Sequence, residues 1–174
     1  MKGIAVTEMV LDLVEIKKKA QIDWNSNWKL KEALISYGDG KHLDKIAHKI
    51  AKEVADKIDC TKCANCCRVM SPQITSTEVE TILEVYEGDE NTFFKTLKPM
   101  GDDFEFRSRP CQFLKDGLCS VYSHRPYDCQ SYPHLHQPNF IEGMDGFIEN
   151  YGVCPIVFNT LNRLRDEIKS ISRK

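Results

Sequence analysis

Cysteine placement constrains this chain more than any other feature: Cys60, Cys63, Cys66 and Cys67 fall within eight residues, and Cys111, Cys119, Cys129 and Cys154 follow. An apolar core uses a cysteine as one small hydrophobe among many, so four crowded together have no packing rationale. A disulfide framework belongs to exported chains, because the cytosol keeps unligated thiols reduced. Residues 1–20 carry Glu8, Asp12 and Glu15 among their apolar positions, with no uninterrupted apolar stretch and no small-residue cleavage site. The expected location is therefore cytoplasmic, and the expected role of the cysteines is to hold metal.

The 174 residues suffice for one domain with its own core. That domain divides into an N-terminal helical segment (1–59), a metal-chelating region (60–155) and a C-terminal helix (156–174). A formal net charge of −2 lacks the broad basic field of a nucleic-acid binder, so no nucleic-acid partner is expected. No apolar run approaches the roughly 18 to 20 residues that cross a bilayer, so no membrane partner is expected either.

Apolar spacing predicts a first helix from Ile4 to about Ala20, closed by Lys17, Lys18 and Lys19, where cations suit a helix C-terminus. Trp24 and Trp28 share a helical face and either anchor this segment to the core or face a partner. After the break at Gly38-Asp39-Gly40, the stripe from Leu43 to Ile58 predicts an amphipathic helix leading into Cys60, placed to set where the thiolate loop begins. His42 and His48 lie off that stripe and are expected to face solvent. Thr75 and Glu78 form a capping box ahead of Val79, Ile82, Leu83 and Tyr86.

Asn91 to Leu97 reads as a short helix stopped by Pro99 and Gly101, and the alternation around Phe104 and Phe106 as a half-buried strand. Cys111 to Cys119 reads as a hairpin turning at Asp116-Gly117, with both cysteines on paired strands. Ser123 to Pro138 shows no period and is expected to be irregular. Pro155 suits the first position of a closing helix through Ile171. The expected fold is mainly α with a small β-hairpin (α+β), an irregular, metal-knitted, cysteine-rich centre packed on amphipathic helices.

Three thiolates spaced Cys60-x-x-Cys63-x-x-Cys66 can curl around an iron–sulfur cubane, with Cys154-Pro155 as a remote ligand of ferredoxin type. The same Cys-x-x-Cys knuckle builds tetrahedral zinc sites, and eight cysteines divide into two sets of four ligands. The spacing inclines toward iron–sulfur and leaves zinc open. Neighbouring side chains diverge, so Cys66 and Cys67 could serve different metals. Each of the four later cysteines has an alternative as a buried inert thiol. Lys62, Arg68, Arg107 and Arg109 are candidate cations for stabilising thiolates. His134 and His136 are candidate supplementary ligands or ordinary packed and exposed residues. The chain has no phosphate-binding loop, dinucleotide turn, nucleophile elbow or His-Glu-x-x-His motif.

Cys60-x-x-Cys63-x-x-Cys66-Cys67-Arg68, then Pro110-Cys111 through Gly117-x-Cys119-x-Val-Tyr122-x-x-Arg125-Pro126-x-x-Cys129-x-x-Tyr132-Pro133, then Cys154-Pro155, together resemble the YkgJ-type CxxCxxCC family. The resemblance implies zinc or iron chelation by all eight cysteines, accompanied by Arg68, Arg125, Pro126, Tyr132 and Pro133. It also implies kinship with a longer protein, the flagellin lysine N-methylase. This chain departs from the family pattern at Gln130 and His134, where arginine and an aromatic are usual.

Three functions are open at this level. The leading one is a metal-binding accessory or maturation factor with a protein partner and no catalysis of its own. The others are a metal-dependent protein-modifying enzyme and a structural zinc module that presents the tryptophan-bearing helices.

Overall fold

The computed structural model describes residues 9–171. Its first elements are α1 (Leu13–Tyr37), α2 (Gly40–Ala55), the one-turn helices α3 (Cys60–Cys63) and α4 (Asn65–Val69), β1 (Gln73–Ile74), α5 (Ser76–Leu83) and α6 (Glu90–Lys95). There follow β2 (Leu97–Met100), β3 (Asp103–Phe106), β4 (Leu114–Lys115), β5 (Leu118–Cys119), a 3-10 turn (Tyr122–His124), α7 (Tyr127–Ser131), α8 (Met144–Asn150) and α9 (Pro155–Ile171). The fold is mainly helical with small antiparallel sheets, the class the sequence indicates. The elements form two compact units, residues 9–58 with 133–171, and Asp59–Tyr132.

In the helical unit, α1 begins where the Asp12 carboxylate accepts the N–H groups of Val14 and Glu15, each at 2.8 Å. That N-cap satisfies two of the four donors a helix start leaves without partners. The helix does not stop near Ala20. It runs to Tyr37 and ends as Gly38 turns left-handed at φ 80°. No glycine or proline interrupts residues 21–37, and Ile16, Leu30 and Leu34 are buried on one face, so packing carries the helix past the lysines. Residues 4–8 of the expected first helix lie outside the described residues. Trp24 and Trp28 meet edge to face at 6.0 Å on the flank of α1, and Trp24 is 46% exposed, so it is no core anchor.

α2 buries Leu43, Ala47, Ile50, Ala51 and Val54, as the stripe predicts, but ends at Ala55, leaving residues 56–59 between it and Cys60. His48 is half-buried rather than solvent-facing, with Nε2 2.9 Å from the Gln137 carbonyl oxygen. The Asp44 carboxylate accepts the N–H groups of Asn139 and Phe140, each at 2.9 Å, which fixes the chain ahead of α8. α9 opens on Pro155 as expected and buries Val157, Leu161, Leu164 and Ile168. On α9, Asn159 accepts the Val10 N–H at 3.0 Å and donates to the Val10 carbonyl at 2.8 Å. The Tyr151 hydroxyl donates to Asp23 Oδ2 at 2.9 Å and lies 3.0 Å from Asn162 Oδ1.

The cysteine unit has a core of its own, built from Ile74, Val79, Ile82, Phe93, Leu97, Phe106, Phe113 and Val121. Its three-stranded antiparallel sheet runs β1-β3-β2, with Ile74 opposite Phe104 and Leu97 opposite Phe106. The expected helix through Leu97 stops at Lys95, and Leu97 instead opens an edge strand that contains Pro99. Proline has no N–H for a ladder, and an edge strand tolerates that loss. The capping box forms as read: the Thr75 side chain accepts the Glu78 N–H, and Glu78 Oε2 accepts the Thr75 N–H.

Candidate metal centre

The Cys-x-x-Cys-x-x-Cys-Cys run folds as two one-turn helices joined at Ala64, whose left-handed φ of 46° bends the backbone between them. Asp59 starts the first turn by accepting the Thr61 N–H at 3.0 Å. The bend sorts the cysteines. Cys60, Cys66 and Cys67 line a cleft of about 520 Å³, and Cys63 does not. The Cys63 carbonyl oxygen instead accepts from Arg68 Nη1 at 2.7 Å, closing the short second turn.

Three later cysteines line the same cleft. Cys111 is not on a strand, contrary to expectation. It reaches the cleft because its N–H donates to the Cys67 carbonyl oxygen at 2.8 Å. Cys119 is on β5 opposite Leu114, across the hairpin whose turn residues Asp116 and Gly117 take φ 51° and 81°, the turn read from their sequence. Cys129 sits on α7, one helical turn inside the stretch expected to be irregular. Two carboxylates hold α7 in place: Glu78 Oε1 accepts the Tyr127 N–H at 2.6 Å, and Asp128 Oδ2 accepts the Gln73 N–H at 3.0 Å. A helix too short to show a period is thus ordered by tertiary hydrogen bonds.

Cys154 belongs to the helical unit, where it is 7% exposed and its N–H donates to the Asn150 carbonyl oxygen at 2.9 Å just ahead of α9. His134 and His136 are in that unit as well. None of the eight cysteines is in a disulfide. Cys66 and Cys67 face one cleft, their sulfurs 4.0 Å apart, so the divergence expected of neighbours does not separate them. Among the described residues, no three His, Cys, Asp or Glu side chains stand close enough together to hold an ion as they lie. The sulfurs surround a cleft rather than a point.

The electrostatics of the thiols differ. A hydrogen bond from Cys66, outweighing partial burial and helped by the charges of Arg125 and Arg68, brings the Cys67 thiol down to about 6. Burial pushes Cys60, Cys111 and Cys119 up. Burial, with the Asp128 carboxylate adding to it, pushes Cys129 up to about 12. Cys67 is therefore ready to ionise at neutral pH, whereas Cys60, Cys111, Cys119 and Cys129 need a strong cation among them to do so. That is the donor set of a soft-ligand metal site, in which binding metal and releasing protons are one event.

Of the cations singled out in the sequence, Lys62 pairs with Asp59 at 3.4 Å, Arg107 Nε donates to the Leu97 carbonyl and Arg109 Nε to Ser71 Oγ. The cation that lines the cleft is Arg125, stacked on Tyr122 with 3.7 Å between the guanidinium carbon and the ring centroid. Composition alone does not single out this pair. Its sequence signal is the Tyr122-x-x-Arg125-Pro126 segment.

A family model for CxxCxxCC, described as a putative zinc- or iron-chelating domain, matches residues 59–155, a span that includes all eight cysteines. No curated protein and no solved structure matches the chain. Among the described residues, no helix is long and apolar enough to cross a membrane.

Proposed function

The chain belongs to the CxxCxxCC family, and from that membership we propose that its cysteine cleft holds a resident iron–sulfur cluster in a cytoplasmic accessory or maturation factor for a partner protein. The observation that carries this reading is the gathering of Cys60, Cys66, Cys67, Cys111, Cys119 and Cys129 around one cleft. These six residues would hold the group. The donor set fits it, since thiolates bind soft metals and the apolar wall formed by Met70, Phe106, Phe113 and Val121 lowers the local dielectric.

A cluster has volume that a single ion lacks, and sulfurs spread around a cleft of about 520 Å³ suit a group of several atoms better than a point charge. When bound, such a group supplies electron transfer or a rigid structural knot. This chain's residues would supply the ligands and the water-excluding wall. Zinc is the second reading, since four of the six cleft cysteines would complete a tetrahedral site and the family description names zinc equally. The accessory role is supported by the exposed Leu118, Tyr122 and Tyr127 beside the cleft, apolar surface of the kind partners bury.

Anaerobic purification with metal analysis and an absorption spectrum tests the reading. Broad absorbance near roughly 400 nm with stoichiometric iron and sulfide is expected. Colourless protein carrying about one or two zinc ions replaces the cluster by the zinc reading. Protein that retains neither metal overturns both.

A further inference from the structure

Arg125 is held more firmly than a surface arginine. Its Nε donates to the Tyr122 carbonyl at 3.1 Å, its guanidinium lies on the Tyr122 ring, and its own carbonyl accepts from Gln130 Nε2 at 2.6 Å. Pro126 follows it and restricts its backbone. With Nε engaged and one face covered by an aromatic ring, few rotamers remain to the side chain.

The two Nη atoms make no hydrogen bond among the described residues, and no carboxylate forms an ion pair with the guanidinium. Yet it lines the same cleft as six cysteines. A half-buried guanidinium on the wall of a largely apolar cleft, without an ion partner, is stabilised when opposite charge fills the cleft. Four thiolates around a divalent ion, or around a cluster, leave a net negative charge.

We propose that Arg125, set in place by Tyr122 and Gln130, is the fixed countercharge of the thiolate centre, a positioning residue that raises the centre's metal affinity without ligating it. The inference rests on the metal-centre reading and adds to it a residue with no ligand chemistry of its own. Arg125 lines one cleft with Cys60 and Cys67 from the helical turns and Cys119 from the hairpin. Sulfurs from the helical turns and the hairpin therefore share one cation. Outer-shell groups of this kind typically alter metal affinity by about 10–100-fold.

The test compares wild type, Arg125→Lys and Arg125→Gln by zinc(II) titration of the metal-free proteins against a chromophoric chelator, at low and high salt. Thermal midpoints of the metal-free forms are measured alongside. Arg125→Gln is expected to bind zinc about 10–100-fold more weakly, with Arg125→Lys in between, because lysine keeps the charge and loses the stacked fork. The gap between wild type and Arg125→Gln should narrow at high salt, while the metal-free midpoints stay together. Equal zinc affinity in Arg125→Gln overturns the proposal. So does an equal loss in both variants accompanied by a lower metal-free midpoint, which marks a structural role. A wild type that takes up no zinc, iron or sulfide removes the metal centre and the countercharge together, a result distinct from a metal-loaded wild type matched by its variants.

Discussion

The backbone N–H of Cys111 donates to the carbonyl oxygen of Cys67 at 2.8 Å. This bond ties the helical-turn cysteines to Cys111, ahead of the hairpin, so residues far apart in sequence share one cleft. Its donor and acceptor belong to cysteines that both line the cleft, and it tethers their backbones. The cleft is thus partly organised before any metal arrives.

Substitutions should separate the cysteines by place. Cys67→Ser, Cys111→Ser and Cys119→Ser, each removing a thiol from the cleft wall, are expected to weaken metal binding by at least about 10–100-fold. Cys63→Ser, whose side chain does not line the cleft, should retain more metal than any of the three. Metal content after chelator competition measures the order.

Gly117→Ala tests the hairpin alone. A Cβ there would meet nothing within 4 Å, so the penalty comes only from the left-handed backbone at φ 81°. About 1–2 kcal/mol of stability should be lost. Metal affinity should fall with it, because the turn sets where Cys119 stands. Chemical denaturation of the metal-free protein and a zinc titration measure the two effects.

Glu78→Ala removes the capping box of α5 and the acceptor that holds Tyr127. It should cost about 1–3 kcal/mol, read as a lower denaturation midpoint. Burial raises the Glu78 carboxyl, but the N–H groups of Tyr127 and Thr75 and the Thr75 hydroxyl outweigh it and leave the group below its usual value of 4.5. A depressed folded-state value stabilises the fold above the unfolded value. That contribution should fade as pH falls through the folded value, and the variant should show less of this acid dependence.

Tyr151 gives the opposite dependence at high pH. Burial, with the Asp23 carboxylate accepting from its hydroxyl, pushes the phenol up from 10.0 to about 12. A raised folded-state value means its contribution is complete below pH 10 and is lost as pH rises toward about 12. The loss amounts to about 2–3 kcal/mol. Tyr151→Phe should be less stable by about 1–2 kcal/mol at neutral pH. It should also lack the steep decline, as alkaline denaturation curves would show.

Local signals told most where local physics decides. The stripe from Leu43 to Ile58 formed a helix as far as Ala55, and the Thr75–Glu78 box, the Asp116-Gly117 turn and Pro155 at the head of α9 formed as read, because each is settled by spacing or by a few neighbouring residues. Tertiary contacts decided the rest. Leu97 joined a strand because Phe106 pairs with it, and α7 formed where Glu78 and Asp128 hold its single turn. Cysteine spacing marked all eight candidates but could not show that the bend at Ala64 leaves Cys63 off the cleft wall, or that Cys154 falls in the other unit. Nor could charge counting choose Arg125 over Arg107 and Arg109, since that choice depends on which hydrogen bonds each guanidinium finds.

The cysteine unit is continuous, whereas the helical unit is assembled from segments on either side of it. Asn159 must reach back 149 positions to bind Val10, but every thiol around the cleft is in place once Tyr132 has been made. On a chain growing from its N-terminus, the inserted unit can therefore collapse around its cleft while the last helix is still unsynthesised. The order of synthesis completes the cleft's thiols before the helical unit can close.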